Sequence, residues 1–224
     1  MKGFRFSYPA MGNINQCYNE MRKYFVHIPI LLIYSRLVFS IFILLLSFTQ
    51  PEHFRTIINT LLVIGLISDI FDGIIARKLN ISTVKLRRMD SFIDQIFWLS
   101  ALAGAYVICG TFFKENAFLL IALLGAEALT YIVSYLKFKK EVATHAILSK
   151  VWTLTILATL AQIISTCDSS WLFMTCFYVG MITRMEIIAI LFIIRKWEND
   201  VPSLYHALLI RRGKPIKRNK LFNG

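Results

Sequence analysis

The sequence predicts an all-α fold, an integral membrane six-helix bundle with an N-terminal amphipathic juxtamembrane helix. Three observations carry that expectation. Of the 224 residues, 57% are hydrophobic and 14% aromatic, and the mean hydropathy is +0.61, too apolar for an ordinary soluble domain. Six apolar windows, near 27–48, 55–77, 91–112, 117–137, 147–166 and 171–194, are each long enough to cross a bilayer. The basic residues then fall almost entirely on one side of the helices so defined.

The chain begins with a segment, 1–26, in which Phe4, Phe6, Tyr8, Tyr18, Tyr24 and Phe25 alternate with Lys2, Arg5, Arg22 and Lys23. From about Asn13 onward this pattern suits an amphipathic helix lying on the membrane surface, and its mixed polarity is unlike a cleavable signal peptide. The core domain is expected over 27–196. Its helices are joined by short links, so successive helices should be antiparallel neighbours. Residues 197–224 form a basic tail, VPSLYHALLI followed by RRGKPIKRNK.

Charge sets the orientation. Counting links and termini, 21 of the 25 Lys and Arg lie on the side of both termini. Only Arg55 and Lys114 lie on the other, and Arg36 and Arg184 fall inside helices. That bias predicts cytoplasmic N- and C-termini. It also accounts for the formal net charge of +12 as topology plus attraction to anionic headgroups, so no nucleic acid partner is expected. The four cysteines, Cys17, Cys109, Cys167 and Cys176, show no C-x-x-C pair or metal-ligand spacing and read as packing residues.

The chemistry concentrates between Asp69 and Asp94. Asp69, Asp72, Gly73 and Ala76 recur at i, i+3, i+4 and i+7 and share one face of a helix. Asp90 and Asp94, at i and i+4, share a face of the next. Folded as a hairpin, the two helices would gather four carboxylates near the cytoplasmic membrane surface. A charge at helix-centre depth costs roughly 2.5–3.5 kcal/mol, so the cluster needs a reason. Four acids repel unless cations sit among them, and Arg36 and Arg77 would satisfy only two. Ligands that are all oxygen, with no Cys or His nearby, suit Mg²⁺ or Mn²⁺. Gly73 and Ala76 clear space for a ligand or a neighbouring helix, and Arg77 offers a planar donor fork suited to phosphate.

At these residues the sequence resembles the CDP-alcohol phosphatidyltransferases, whose signature is D-x2-D-G-x2-A-R-x8-G-x3-D-x3-D. Asp69, Asp72, Gly73, Ala76, Arg77, Asp90 and Asp94 match it, and Leu86 stands where the second glycine belongs. Outside the motif the likeness is weaker. Pro29 and Arg36 match parts of the family's P-N-x-L-T-x-x-R segment. Ser149-Lys150-x-x-Thr153 is similar to the G-K-x-K-T of the glycerophosphate-using branch, and Glu127 to its R-E pair.

The resemblance implies transfer of a phosphatidyl group from a CDP-linked lipid such as CDP-diacylglycerol to a small polar alcohol, with release of CMP. It implies two divalent ions, Mg²⁺ or Mn²⁺, held by Asp69, Asp72 and Asp90 with Asp94 completing the site, and Asp94 as the base that takes the proton from the alcohol. Gly73, Ala76, Arg77 and Thr83 would line the nucleotide and phosphate site. Lys150 and Arg184 would meet an anionic acceptor. Glycerol 3-phosphate leads among acceptors, with inositol phosphate, serine and diacylglycerol open. Membrane lipids surround the protein, and family precedent implies a homodimer. Leu86 adds a branched side chain where the family's glycine allows close approach, which either reshapes the site toward an unusual substrate or weakens nucleotide binding. Two other classes stay open on the sequence: a divalent-cation transporter using the acids, and a catalytically silent relative acting as a scaffold.

Overall fold

A computed structural model describes residues 28–79, 83–140, 147–198 and 201–214. The expected amphipathic segment before residue 27 and the last ten residues of the basic tail lie outside the described residues. Among the described residues every regular element is helical: α1 Ile28–Thr49, α2 Phe54–Lys78, α3 Val84–Ile108, α4 Gly110–Glu115, α5 Ala117–Phe138, α6 Ile147–Thr166, α7 Trp171–Ile193 and α8 Leu204–Arg211. Six of them, α1, α2, α3, α5, α6 and α7, are long and apolar enough to cross a membrane. This is a multi-pass membrane protein.

The helices form two groups of three. In the first, α1 packs along both α2 and α3, which make only sparse direct backbone contact with each other. In the second, α7 packs against α5 and α6. Helix α6 is the seam, reaching α2 and α3 across the bundle. Residues Leu31, Phe48, Phe118, Ile121 and Trp171 point outward, as expected for side chains solvated by lipid rather than by water.

The wedge position of α1 follows from one face of its sequence. Pro29, Ile33, Arg36, Ser40, Ile43 and Ser47 alternate at three and four residues and are all buried. The two serines are small enough for close helix approach, and each satisfies its hydroxyl within its own helix. Ser40 Oγ donates to the Arg36 carbonyl at 2.8 Å and Ser47 Oγ to the Ile43 carbonyl at 2.7 Å. Opposite Ser47 stands Gly104 of α3, where an added Cβ would lie 2.5 Å from Ser47 Oγ. Gly65 of α2 makes the same allowance for α3, since a Cβ there would lie 2.3 Å from Phe97 Cζ.

Two boundaries differ from the sequence reading. Helix α3 starts at Val84, not near 91, because Thr83 caps it by accepting the Leu86 N–H at 3.1 Å and the basic turn Lys85–Arg88 is already helical. It ends at Ile108, not near 112. Cys109 has φ −126° and ψ 43°, which breaks the helix before the short α4 begins.

The reading of all four cysteines as packing residues is corrected. Cys109 and Cys167 form a disulfide, with Cα atoms 5.1 Å apart and a sequence separation of 58. Local spacing could not reveal it, because the pair meets only where the ends of α3 and α6 come together. Cys176 is free and buried.

At the opposite end of the bundle, Lys137 of α5 closes the exposed C-terminus of α7. Its Nζ donates to the carbonyls of Leu191, Phe192 and Ile194 at 2.7, 3.0 and 2.9 Å. Helix α8 folds back onto the same place, with Val201 and Ala207 buried against Ile190 and Ile194. The described part of the tail is therefore docked on the bundle.

Candidate active site

The four aspartates converge, but not by direct pairing of α2 with α3. Arg36, projecting from the intervening α1, stands at their centre with a fully buried side chain. Its Nη1 donates to Asp69 Oδ1 at 3.1 Å and pairs with Asp94, and its Nη2 donates to both Asp72 and Asp90. The sequence reading left at most one acid to this arginine. One guanidinium against four carboxylates still leaves three formal negative charges in the cluster.

Depth differs among the acids. Asp72 is sealed, with 3% of its side chain exposed, while Asp69, Asp90 and Asp94 keep 34%, 27% and 28%. Asp72 lies six residues before the end of α2 and Asp90 six residues after the start of α3, so both sit about 9 Å inside the helix ends. Asp72 is thus the closed part of the cluster, and Asp69, Asp90 and Asp94 are its accessible part.

Asp69, Asp72 and Asp90 each present a carboxylate oxygen within 4.8 Å of the other two. Three hard oxygen donors at that separation, with a residual negative charge and no nitrogen or sulfur ligand, could hold a divalent ion of the Mg²⁺ or Mn²⁺ kind. The donor set therefore fits the metal expected from the sequence.

Around the acids, Gly73 is half-buried and Ala76 buried on α2. Arg77 lies in the last turn of α2, and its side chain is outside the described residues. Thr83 is exposed at the start of α3, with its hydroxyl engaged in the helix cap. Leu86 is half-buried one turn before Asp90.

A second buried ion pair lies in the other group of helices. Arg184 Nε of α7 is 2.8 Å from Glu127 Oε2 of α5, with both side chains largely buried. The Arg184 guanidinium stacks over Trp152 of α6 at 4.3 Å from the ring centroid. Gly180, one turn before Arg184, makes room for that ring, since a Cβ there would lie 2.5 Å from Trp152 Nε1. The indole N–H instead donates to the Cys176 carbonyl at 3.2 Å. Glu186 does not join this pair; it accepts the Leu204 N–H of α8 at 3.3 Å. Lys150 is exposed in the first turn of α6. The contributions of Trp152 and Gly180 went unread in the sequence. An isolated Trp and a helical Gly carry no signal until the helices are packed.

The comparisons with known proteins agree with the geometry. The sequence matches the family model of CDP-alcohol phosphatidyltransferase over residues 26–185, a span that includes both polar clusters. No curated protein and no solved structure gives a match. With more than two thirds of the chain covered, including the helices that gather the acids, the protein belongs to the CDP-alcohol phosphatidyltransferase family and is a membrane transferase of lipid biosynthesis acting on a CDP-alcohol.

Proposed function

We propose that the protein transfers the phosphatidyl group of CDP-diacylglycerol to glycerol 3-phosphate, releasing CMP at the cytoplasmic membrane face. The observation that carries this reading is the convergence of Asp69, Asp72, Asp90 and Asp94 on Arg36 inside the family-matched region.

In this reading Asp69, Asp72 and Asp90, completed by Asp94, hold two Mg²⁺ or Mn²⁺ ions. When bound, such ions neutralise the pyrophosphate and stabilise negative charge on the departing nucleotide. Arg36 keeps the four carboxylates together by bonding all of them, so the ligands are arranged before substrate arrives. Asp94 takes the proton from the acceptor hydroxyl. The hydroxyl oxygen forms a bond to the phosphorus that carries diacylglycerol, the P–O bond to the CMP phosphate breaks, and CMP leaves with the bonding electrons. Gly73, Ala76, Arg77 and Thr83 line the nucleotide and phosphate site.

Arg184 and Lys150 receive the anionic head of the acceptor. Arg184 engages Glu127 through Nε, which leaves the planar end of its guanidinium as the part suited to phosphate. Trp152 supports that plane from beneath. The topology that accompanies this reading has both termini and the acid cluster on the cytoplasmic side, following the distribution of Lys and Arg.

The test is CMP release by purified protein in detergent with CDP-diacylglycerol, Mg²⁺ or Mn²⁺, and one alcohol at a time. Release with glycerol 3-phosphate, and not with inositol phosphate, serine or diacylglycerol, supports the assignment. Release with another of these alcohols replaces the acceptor but keeps the reaction class.

A further inference from the structure

We infer that the Cys109–Cys167 disulfide forms on the membrane face opposite the acid cluster, in an oxidising compartment, and that it ties the two helix groups together at that end. The inference concerns topology and assembly and does not depend on the identity of the acceptor.

Three observations meet at this corner. First, the disulfide joins the C-terminal end of α3, which carries Asp90 and Asp94, to the C-terminal end of α6, the seam helix of the other group. Cys109 lies fifteen residues beyond Asp94 along one helix direction, about 22 Å away. That distance is most of a bilayer's hydrocarbon thickness, so the two features belong to opposite faces.

Second, the polar contacts between the two helix groups at this end repeat the bridge without covalent chemistry. Arg55 Nη1 of α2 donates to the carbonyls of Ile164 and Ser165 at 2.8 and 2.9 Å, closing the C-terminus of α6. Asn59 Nδ2 of α2 donates to Ser165 Oγ at 2.8 Å. Arg55 is one of the two basic residues on this side of the bundle, and here it caps the end of α6.

Third, persistent disulfides belong to oxidising compartments, whereas cytosolic thiols are kept reduced. The covalent bond therefore orients the bundle independently of the lysines and arginines. Its formation removes two protons and two electrons from the thiols of Cys109 and Cys167. A disulfide carried by a thiol oxidoreductase of that compartment accepts them and becomes a dithiol. Cys109 is 3% exposed and Cys167 only partly buried, so a reagent in that compartment reaches the bond from the Cys167 side.

The experiment uses the full chain in native membranes. Acid quenching, blocking of free thiols under denaturing conditions, reduction, and labelling with a polyethylene-glycol maleimide should add two labels that appear only after reduction. Both should vanish in the Cys109→Ser/Cys167→Ser variant. In intact cells a membrane-impermeant reductant should open the bond without permeabilisation. A cysteine at Lys139→Cys, at the acid end, should resist an impermeant maleimide added outside. All four native thiols reacting before reduction would overturn the proposal, as would a bond opened only after permeabilisation. For the tie itself, reduction in detergent should lower Tm by about 5–10 °C, and an unchanged Tm would remove that part of the inference.

Discussion

Arg36 and Asp72 form an ion pair sealed from solvent, with 0% and 3% of their side chains exposed. The same guanidinium also reaches Asp69 on α2, and through Asp90 and Asp94 it draws in α3. Breaking a buried pair by removing one partner leaves an uncompensated charge and costs about 3–5 kcal/mol.

Arg36→Gln should therefore lower the thermal midpoint strongly in the absence of metal. Mg²⁺ should raise the midpoint of the variant more than that of the wild type, because the ion then supplies charge that the guanidinium no longer does. Differential scanning measurements with and without metal decide this. A wild-type midpoint for Arg36→Gln would contradict the central role of the arginine.

Asp94→Asn and Asp72→Asn should separate two roles. Asp94→Asn keeps the three clustered carboxylates and should retain metal-dependent CDP-lipid binding, while turnover falls by about 10²–10⁴-fold. Asp72→Asn removes the most buried acid of the metal set and should lose metal-dependent binding itself. Equilibrium binding and single-turnover CMP release on both variants report the two quantities. Normal turnover in Asp94→Asn would refute its role as base.

Gly65→Ala should disturb the site without touching an acid. The new methyl would lie 2.3 Å from Phe97 Cζ, and Phe97 follows Asp94 by one helical turn on α3. Overpacking of this kind costs about 1–3 kcal/mol, and displacement of α3 should reduce turnover together with stability. Gly125→Ala is the control: apart from its own helix backbone no heavy atom of the described residues lies within 4 Å of its Cβ position, and alanine is the better helix former. Equal effects of the two substitutions would contradict the packing argument.

Leu86→Gly tests the one departure from the family signature. Leu86 sits in the first turn of α3, so glycine there should cost about 1 kcal/mol of helix stability. If the leucine narrows the nucleotide site, CDP-lipid binding should tighten despite that cost. Titration of CDP-diacylglycerol against both proteins measures it. Unchanged or weaker binding would show that this position serves helix packing.

Much of this was legible in the chain because helical periodicity is local. Asp69, Asp72, Gly73 and Ala76 announce a shared face within eight residues, and Asp90 with Asp94 do the same within five. The six spans were legible for a similar reason, since bilayer thickness fixes a minimum apolar length. What sequence could not give was which helix lies between the two motif helices. Arg36 reaches acids 33 to 58 residues downstream, and only the wedge position of α1 makes that reach possible. Glu127 and Arg184 were visible as charges in apolar segments, but their pairing and the ring of Trp152 beneath them depend on how α5, α6 and α7 cross. The early start of α3 was hidden because its first turn is basic, and apolar windows end where the membrane does. The disulfide was hidden because its two cysteines share no local pattern.

The most direct test of the account is metal dependence of CMP release from CDP-diacylglycerol in the presence of the acceptor that supports it. Purified protein stripped with a chelator should release no CMP, and adding back Mg²⁺ or Mn²⁺ should restore release in the wild type but not in Asp72→Asn. Release that persists after stripping, or that metal restores equally in Asp72→Asn, would show that the acids gathered by Arg36 are not the reaction centre.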